Sequence, residues 1–218
     1  MYLEPRKRSL SSGERRLLVA KARDLRSQEK APWKTLALAV GLLAALWLAT
    51  MFASDAPWSV ITVFWIAVGS GIGLWVWRDA KKDSRYAVSM AERLESALAR
   101  DEANVFDFKA HTFVEFEEWE DEGACYAFDL RPSRIAFVVG QEFYPEARFP
   151  SSDFSLVYPL DEDGNEVDML IEKRGPKAEP LRKLSRHVKK NYVIPEHLEV
   201  LEGQLRDLER LLVRCHGK

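Results

Sequence analysis

The chain has 218 residues, a formal charge of −2 and a mean hydropathy of −0.26. Once an apolar stretch near its first third is set aside, that length leaves room for one small soluble domain of about 100 residues with flanking helices. Its two cysteines, Cys125 and Cys215, are far apart and show no CxxC or Cys/His spacing, which argues against a disulfide framework and a zinc site and fits a reducing compartment.

The near-neutral total hides a segregation of charge. Residues 1–34 carry ten Lys/Arg against four Asp/Glu, whereas residues 101–129 carry ten Asp/Glu against one Lys.

Residues 1–10 read as a disordered basic arm. Ser11 and Glu14 then have capping-box spacing, which predicts a helix over residues 12–28. Leu17, Leu18, Val19, Ala22 and Leu25 give it an apolar side, surrounded by Arg15, Arg16, Lys21, Arg23 and Arg26. Such a helix can lie on an anionic leaflet or be an ordinary solvated helix whose charges fix topology. Both readings stay open.

Residues 35–53 and 58–77 contain no ionisable side chain and are separated only by Ser54, Asp55, Ala56 and Pro57. At 19 and 20 residues each reaches about 30 Å as a helix, the thickness of a hydrocarbon core. Neither run has the polar face that a soluble helix of this length needs. The expectation is a transmembrane helical hairpin. A start more than thirty residues into the chain does not fit a cleaved signal peptide. Basic residues precede the hairpin, and Arg78, Lys81, Lys82 and Arg85 follow it, so the positive-inside rule predicts two cytoplasmic termini.

Within the hairpin, Ala37, Gly41, Ala45 and Ala49 form a stripe of small side chains, answered by Gly69, Ser70 and Gly73. These stripes predict contact between the two spans, with contact between copies of the chain as the alternative. Trp33, Trp58, Trp75 and Trp77 sit where interfacial anchors belong.

From Arg78 the helix is expected to continue as a stalk over residues 78–103, because Tyr86, Met90, Leu94, Ala97 and Leu98 keep a three-to-four spacing. The N-terminal helix, a second copy or the soluble domain could each cover that stripe.

The period then changes to two. Phe106, Phe108, Ala110, Thr112, Val114 and Phe116 occupy even positions of a half-buried strand over residues 105–118. Further strands are expected at 125–130, 135–141, 154–158 and 167–172, with turns at Gly123, Pro132, Pro145, Pro150 and Asp163-Gly164. Close spacing favours antiparallel pairing. The fold class is therefore an α+β membrane protein: arm and helix (1–34), hairpin (35–77), stalk (78–103), and a small antiparallel β roll, sandwich or partly open barrel with a C-terminal helix (104–218).

Within that last region, Glu120-Asp121-Glu122-Gly123, Tyr126-Ala127-Phe128-Asp129, Gly140-Gln141-Glu142-Phe143-Tyr144, Phe149-Pro150, Asp153-Phe154 and Val200-Leu201-Glu202-Gly203 follow in order. The arrangement resembles uncharacterised bacterial proteins, some of which carry a two-span anchor before the β domain. The resemblance implies no activity, supports the domain reading and leaves function open; with the hairpin, the expected location is the bacterial inner membrane. The resemblance also implies a strand at 198–202 ended by Gly203, with a short helix over 204–213, whereas heptad spacing of Leu198, Leu201, Leu205, Leu208 and Leu212 would favour one longer helix.

Residues 173–190 hold eight Lys/Arg against Glu179 alone. This stretch can be a solvated surface, touch anionic lipid headgroups, or pair with the acidic run 115–122. Nucleic acid ranks last because no aromatic residues interleave the charges.

No catalytic, cofactor-binding or metal-binding residues are assigned, and no cofactor. His111, His187, His197 and His216 are scattered, Cys125 lies inside an expected strand, and the acidic run lacks the grammar of an EF-hand loop. The leading expectation is a non-enzymatic, membrane-anchored interaction module whose partners are the lipid bilayer and an unidentified protein. A homo-oligomeric channel or an accessory subunit of a transport or envelope complex is the alternative. An enzyme with a dispersed site near Glu115, Tyr126 or His111 is the third reading.

Overall fold

The structure is a computed structural model, and it describes residues 1–28, 32–53, 57–130 and 132–213. The expectations for the turn at 54–56, for the Trp33 side chain and for Cys215-His216 lie outside the described residues. The chain forms two compact units: Met1–Ser9, Glu102–Pro159 and Asp168–Lys218 make one, and Leu10–Asp101 with Leu160–Val167 make the other.

The second unit is helical. Helix α1 (Ser12–Gln28) starts with the reciprocal bonds its sequence predicts, Ser11 N–H donating to Glu14 Oε2 at 2.7 Å and Glu14 N–H to Ser11 Oγ at 3.3 Å. Helix α2 (Pro32–Ala53) carries the first apolar run. Helix α3 (Trp58–Arg100) joins the second apolar run to the stalk without a break over 43 residues, about 65 Å at the α-helical rise. It ends at Asp101, whose left-handed φ of 57° closes the last turn on Ala97.

The stalk's apolar stripe is covered by α1. Leu18 and Ala22 of α1 and Ala87, Ala91, Leu94 and Ala97 of α3 are all buried where the two helices pack. Arg26 pairs with Glu95 at 3.0 Å, Arg15 pairs with Asp101, and the Leu10 N–H donates to the Asp101 carboxylate at 3.0 Å. The expected stripe is off by one residue at its start, because Tyr86 is 71% exposed and the adjacent Ala87 is buried. Alanines at the contact bring the backbones close, and an aromatic ring would not fit between them.

Helices α2 and α3 meet at Gly69 of the expected α3 stripe, but through other residues of α2 than its expected small stripe. Trp65 Nε1–H donates to Thr50 Oγ1 at 2.9 Å, and Leu43 lies over Gly69. Ala37, Gly41, Ala45 and Ala49 instead face outward, and nothing lies within 4 Å of a Cβ built on Gly41 or Gly73. The stripe on α2 is a correction to the sequence reading: Leu43, Trp47 and Thr50 occupy the half-buried face. Among the described residues one helix, α3, is long and apolar enough to cross a membrane, and Val40–Phe52 is a shorter apolar helix.

The segment Leu160–Val167 belongs to this unit. Arg100 donates to the Asp161 and Glu162 carbonyls, each at 2.9 Å, and Arg93 pairs with the Asp161 carboxylate at 3.3 Å. Its Asp163-Gly164 turn needs glycine, with Gly164 at φ +85°.

The other unit is built on an eight-stranded, mainly antiparallel sheet. Its strands are β1 (Arg6–Arg8), β2 (Ala103–Phe116), β3 (Ala124–Leu130), β4 (Arg134–Gly140), β5 (Asp153–Pro159), β6 (Leu170–Lys173), β7 (Pro180–Leu184) and β8 (Val200–Glu202). The order is β6-β5-β2-β3-β4-β8, with β1 and β7 also on β2. Strand β2 is the spine. Its first half pairs with β5 and β1, its second half with β3 and, in parallel, with β7. The parallel pair departs from an all-antiparallel expectation, and the long connection between β2 and β7 makes it feasible.

An irregularity between Ala110 and Phe113 shifts the register and changes which face each side chain meets. Phe106, Phe108, Ala110 and Phe113 enter one core cluster, whereas Val114 and Phe116 enter another. Thus β2 is not one half-buried strand with its even positions inside. Strands β3 and β4 are covered on both faces: Tyr126, Phe128 and Val138 face the first cluster, and Cys125, Ala127 and Phe137 face the second. Leu184, Tyr192, Leu205, Leu208 and Leu212 complete the second cluster, brought by the short helices α4 (Arg186–Lys189) and α5 (Leu208–Leu211) and their flanks.

The arm is a second correction. Arg6–Arg8 pair with Ala103–Val105, Leu3 N–H donates to Leu198 O at 2.9 Å and Val200 N–H to Met1 O at 2.6 Å. At the C-terminus the strand reading holds over the heptad one, with β8 ending at Gly203 (φ +144°) where a Cβ would meet Leu211 at 2.4 Å.

Candidate functional site

A cleft of about 440 Å³ opens in the β unit between the turn that joins β2 to β3 and the segment that follows α4. Its walls are Trp119, Glu122, Val139, Tyr192, Ile194 and Pro195, with Cys125, Lys189, Lys190 and Glu196 also lining it.

The turn is pinned from several sides. Glu118 accepts the Gly123 N–H at 3.1 Å and the Tyr144 hydroxyl at 2.6 Å, and the Gln141 side-chain amide donates to the Asp121 carbonyl at 3.0 Å. That hydrogen bond to Glu118 holds the Tyr144 phenol above its ordinary value. Gly123 adopts φ +85°, and a Cβ there would lie 2.4 Å from the Gly140 carbonyl carbon and the Gln141 nitrogen. Only glycine fits.

On the opposite wall, Glu117 accepts the Arg186 N–H at 3.0 Å, which fixes where α4 begins. That helix delivers two ammonium groups. Lys189 has a side chain only 7% exposed and is ion-paired with Glu122, whose own side chain is 47% exposed. Lys190 Nζ lies 3.2 Å from the centroid of the Trp119 ring, a cation–π contact. The Cys125 thiol behind them is pushed up to about 12 by burial, so it is a packed thiol and not an activated one.

The pairing between the acidic run and the basic stretch, one of the readings of the sequence, is present in the structure. Lys183 meets Glu115 at 2.9 Å in addition to the Lys189–Glu122 pair. Other basic residues of the stretch are also engaged: Arg174 with Asp153 at 2.8 Å and Glu172 at 3.2 Å, Arg182 with Glu209 at 2.8 Å, and Lys173 with Glu146. The Ser155 hydroxyl and Arg6 hold the Asp107 carboxyl below its ordinary value, outweighing the upward pull of partial burial.

Of the three residues around which a dispersed enzymatic site is conceivable, Glu115 and Tyr126 are register partners across β2 and β3, and His111 lies apart from that pair. Glu115 is paired with Lys183, Tyr126 is buried in the first core cluster, and His111 is exposed at the irregularity of β2. His187 is exposed as well. His197 is different: its Nδ1 accepts the Val139 N–H at 3.2 Å, its Nε2 lies 2.9 Å from the Tyr158 hydroxyl, and Phe143 stacks on its ring at 5.1 Å. The Val139 bond requires an unprotonated Nδ1, so the neutral ring carries its proton on Nε2 and donates to Tyr158. Among the described residues no group of three or more His, Cys, Asp or Glu is arranged to hold a metal ion.

Sequence reasoning did not single out the cleft. The one signal pointing to it was Trp119, an indole in the middle of an acidic run. Comparison of the chain with protein-family models, curated proteins and solved structures finds no match.

Proposed function

We propose that this protein is a non-enzymatic interaction module held at the bacterial inner membrane by a hairpin of α2 and the first half of α3, with both termini in the cytoplasm. The observation that carries this reading is the apolar surface that these helices leave uncovered. Phe52 is 90% exposed, and Leu38, Val60, Val63, Ile66 and Trp75 are each more than 60% exposed. Soluble monomers rarely expose a contiguous apolar patch beyond a few hundred Å². Lipid is the solvent that such a surface suits, and within each uncharged run the helix bonds its own backbone, leaving only the end groups for the interfaces.

Arg78, Lys81, Lys82 and Arg85 are all exposed where the apolar part of α3 ends, and Lys81 lies 4.9 Å from the Trp77 ring. This grouping suits anionic headgroups, each cation contributing about 1 kcal/mol near a charged leaflet. The β unit is then the part that recognises a partner in the cytoplasm. Extraction of membranes with alkaline carbonate tests the anchor: the full chain should stay in the pellet, and release into the supernatant would rule out an integral protein.

A second reading, self-association in the membrane, is supported by the outward-facing stripe Ala37, Gly41, Ala45 and Ala49. Small side chains let helices of two copies approach closely. A Gly41→Cys variant oxidised in membranes should give a discrete dimer if copies meet there, and a purely monomeric pattern would count against it.

A further inference from the structure

We propose that the cleft beside Trp119 binds a small monocarboxylate with an apolar body, whose carboxylate takes the place of Glu122 on the Lys189 ammonium. The proposal rests on the β unit being a binding module and is independent of the membrane anchor.

The two partners of this ion pair are unequally placed. The Lys189 side chain is 7% exposed, whereas that of Glu122 is 47% exposed and follows the turn after β2. A buried ammonium must keep an anionic partner, because isolating it from water without one is strongly unfavourable. An incoming carboxylate satisfies that need in place of Glu122, whose half-exposed side chain can turn to water. The exchangeable member of the pair is therefore the anion.

The rest of the cleft fixes the chemistry further. At about 440 Å³ it has the size of a small-molecule site, and Trp119, Val139, Tyr192, Ile194 and Pro195 offer apolar walls. Lys190 over the Trp119 ring adds positive charge on the ligand's side. A cationic ligand would meet two ammonium groups. A phosphate dianion would bring two negative charges to a single buried ammonium. One negative charge with a ring-sized or short-chain apolar body matches both the wall and the charge.

The test uses the full chain in lipid nanodiscs titrated with phenylacetate, indole-3-acetate and hexanoate, each against its primary amide, by calorimetry and by ligand-observed NMR. At least one acid should bind in the range of about 1 mM or tighter, and its amide at least about tenfold more weakly. Glu122→Gln removes the internal competitor and should tighten the acid about tenfold, whereas Lys189→Met should abolish binding. If Lys189→Met does not fold, the amide series and Glu122→Gln still decide. No binding of any acid up to about 10 mM to either the wild type or Glu122→Gln would overturn the proposal. Equal binding of amides, or weaker binding to Glu122→Gln, would overturn it as well. Conversion of a bound probe to product would support the cleft and overturn the non-enzymatic reading, so the two fail separately.

Discussion

His197 is held neutral by its surroundings. Burial lowers its pKa from the ordinary 6.5, outweighing the nearby charge of Glu142, and the bond from the Val139 N–H needs the unprotonated Nδ1. Its folded-state value lies below its unfolded one, so the unfolded chain binds the proton more readily. The stability it contributes is therefore fully present above pH 6.5 and is lost as the pH falls through the folded value. The urea midpoint should drop between neutral pH and about pH 5, and His197→Gln should flatten that drop; an unchanged slope would assign it to other groups. A second position is decided by backbone alone. Gly123→Ala places a Cβ against the Gly140 and Gln141 backbone at a positive φ, and should destabilise the chain by about 2 kcal/mol or more, read as a lowered urea midpoint.

At the level of elements, the contact between α1 and α3 depends on small residues. Ala91→Leu inserts three heavy atoms between fully buried helix faces and should cost about 1–3 kcal/mol, seen as faster hydrogen exchange in α1. The capping box at Ser11 and Glu14, the strand cores of β2 to β5 and the Gly164 turn were legible in the sequence because each is a local rule acting over a few residues. What was not legible depends on partners distant in the chain. Strand β1 is Arg6-Lys7-Arg8, with no apolar alternation to reveal it, and its existence comes from the free edge that β2 offers. Strand β7 lies within a basic run and pairs in parallel, so charge masked it. The irregularity after Ala110 falls inside an alternating run whose even positions gave no reason to change face. The candidate site joins Glu122 to Lys189, 67 residues apart, and only the fold of β3 and α4 brings them together.

For the whole molecule, the apolar lengths of α2 and the first half of α3 are the largest uncovered feature among the described residues. Exposed Leu, Val, Ile and Phe side chains run along these lengths, whereas the large apolar residues of the β unit are mostly buried in its two clusters. On the proposed reading a lipid bilayer would cover these lengths, and the basic residues on either side of the runs would set the orientation. The most direct test is two-sided cysteine labelling in intact cells. A cysteine replacing Ser59, at the start of α3, should react with a membrane-impermeant maleimide added outside, while one replacing Ser12, at the start of α1, should react only after permeabilisation. Labelling of the Ser12 position from outside, or protection of the Ser59 position until the cells are opened, would contradict the hairpin and its orientation.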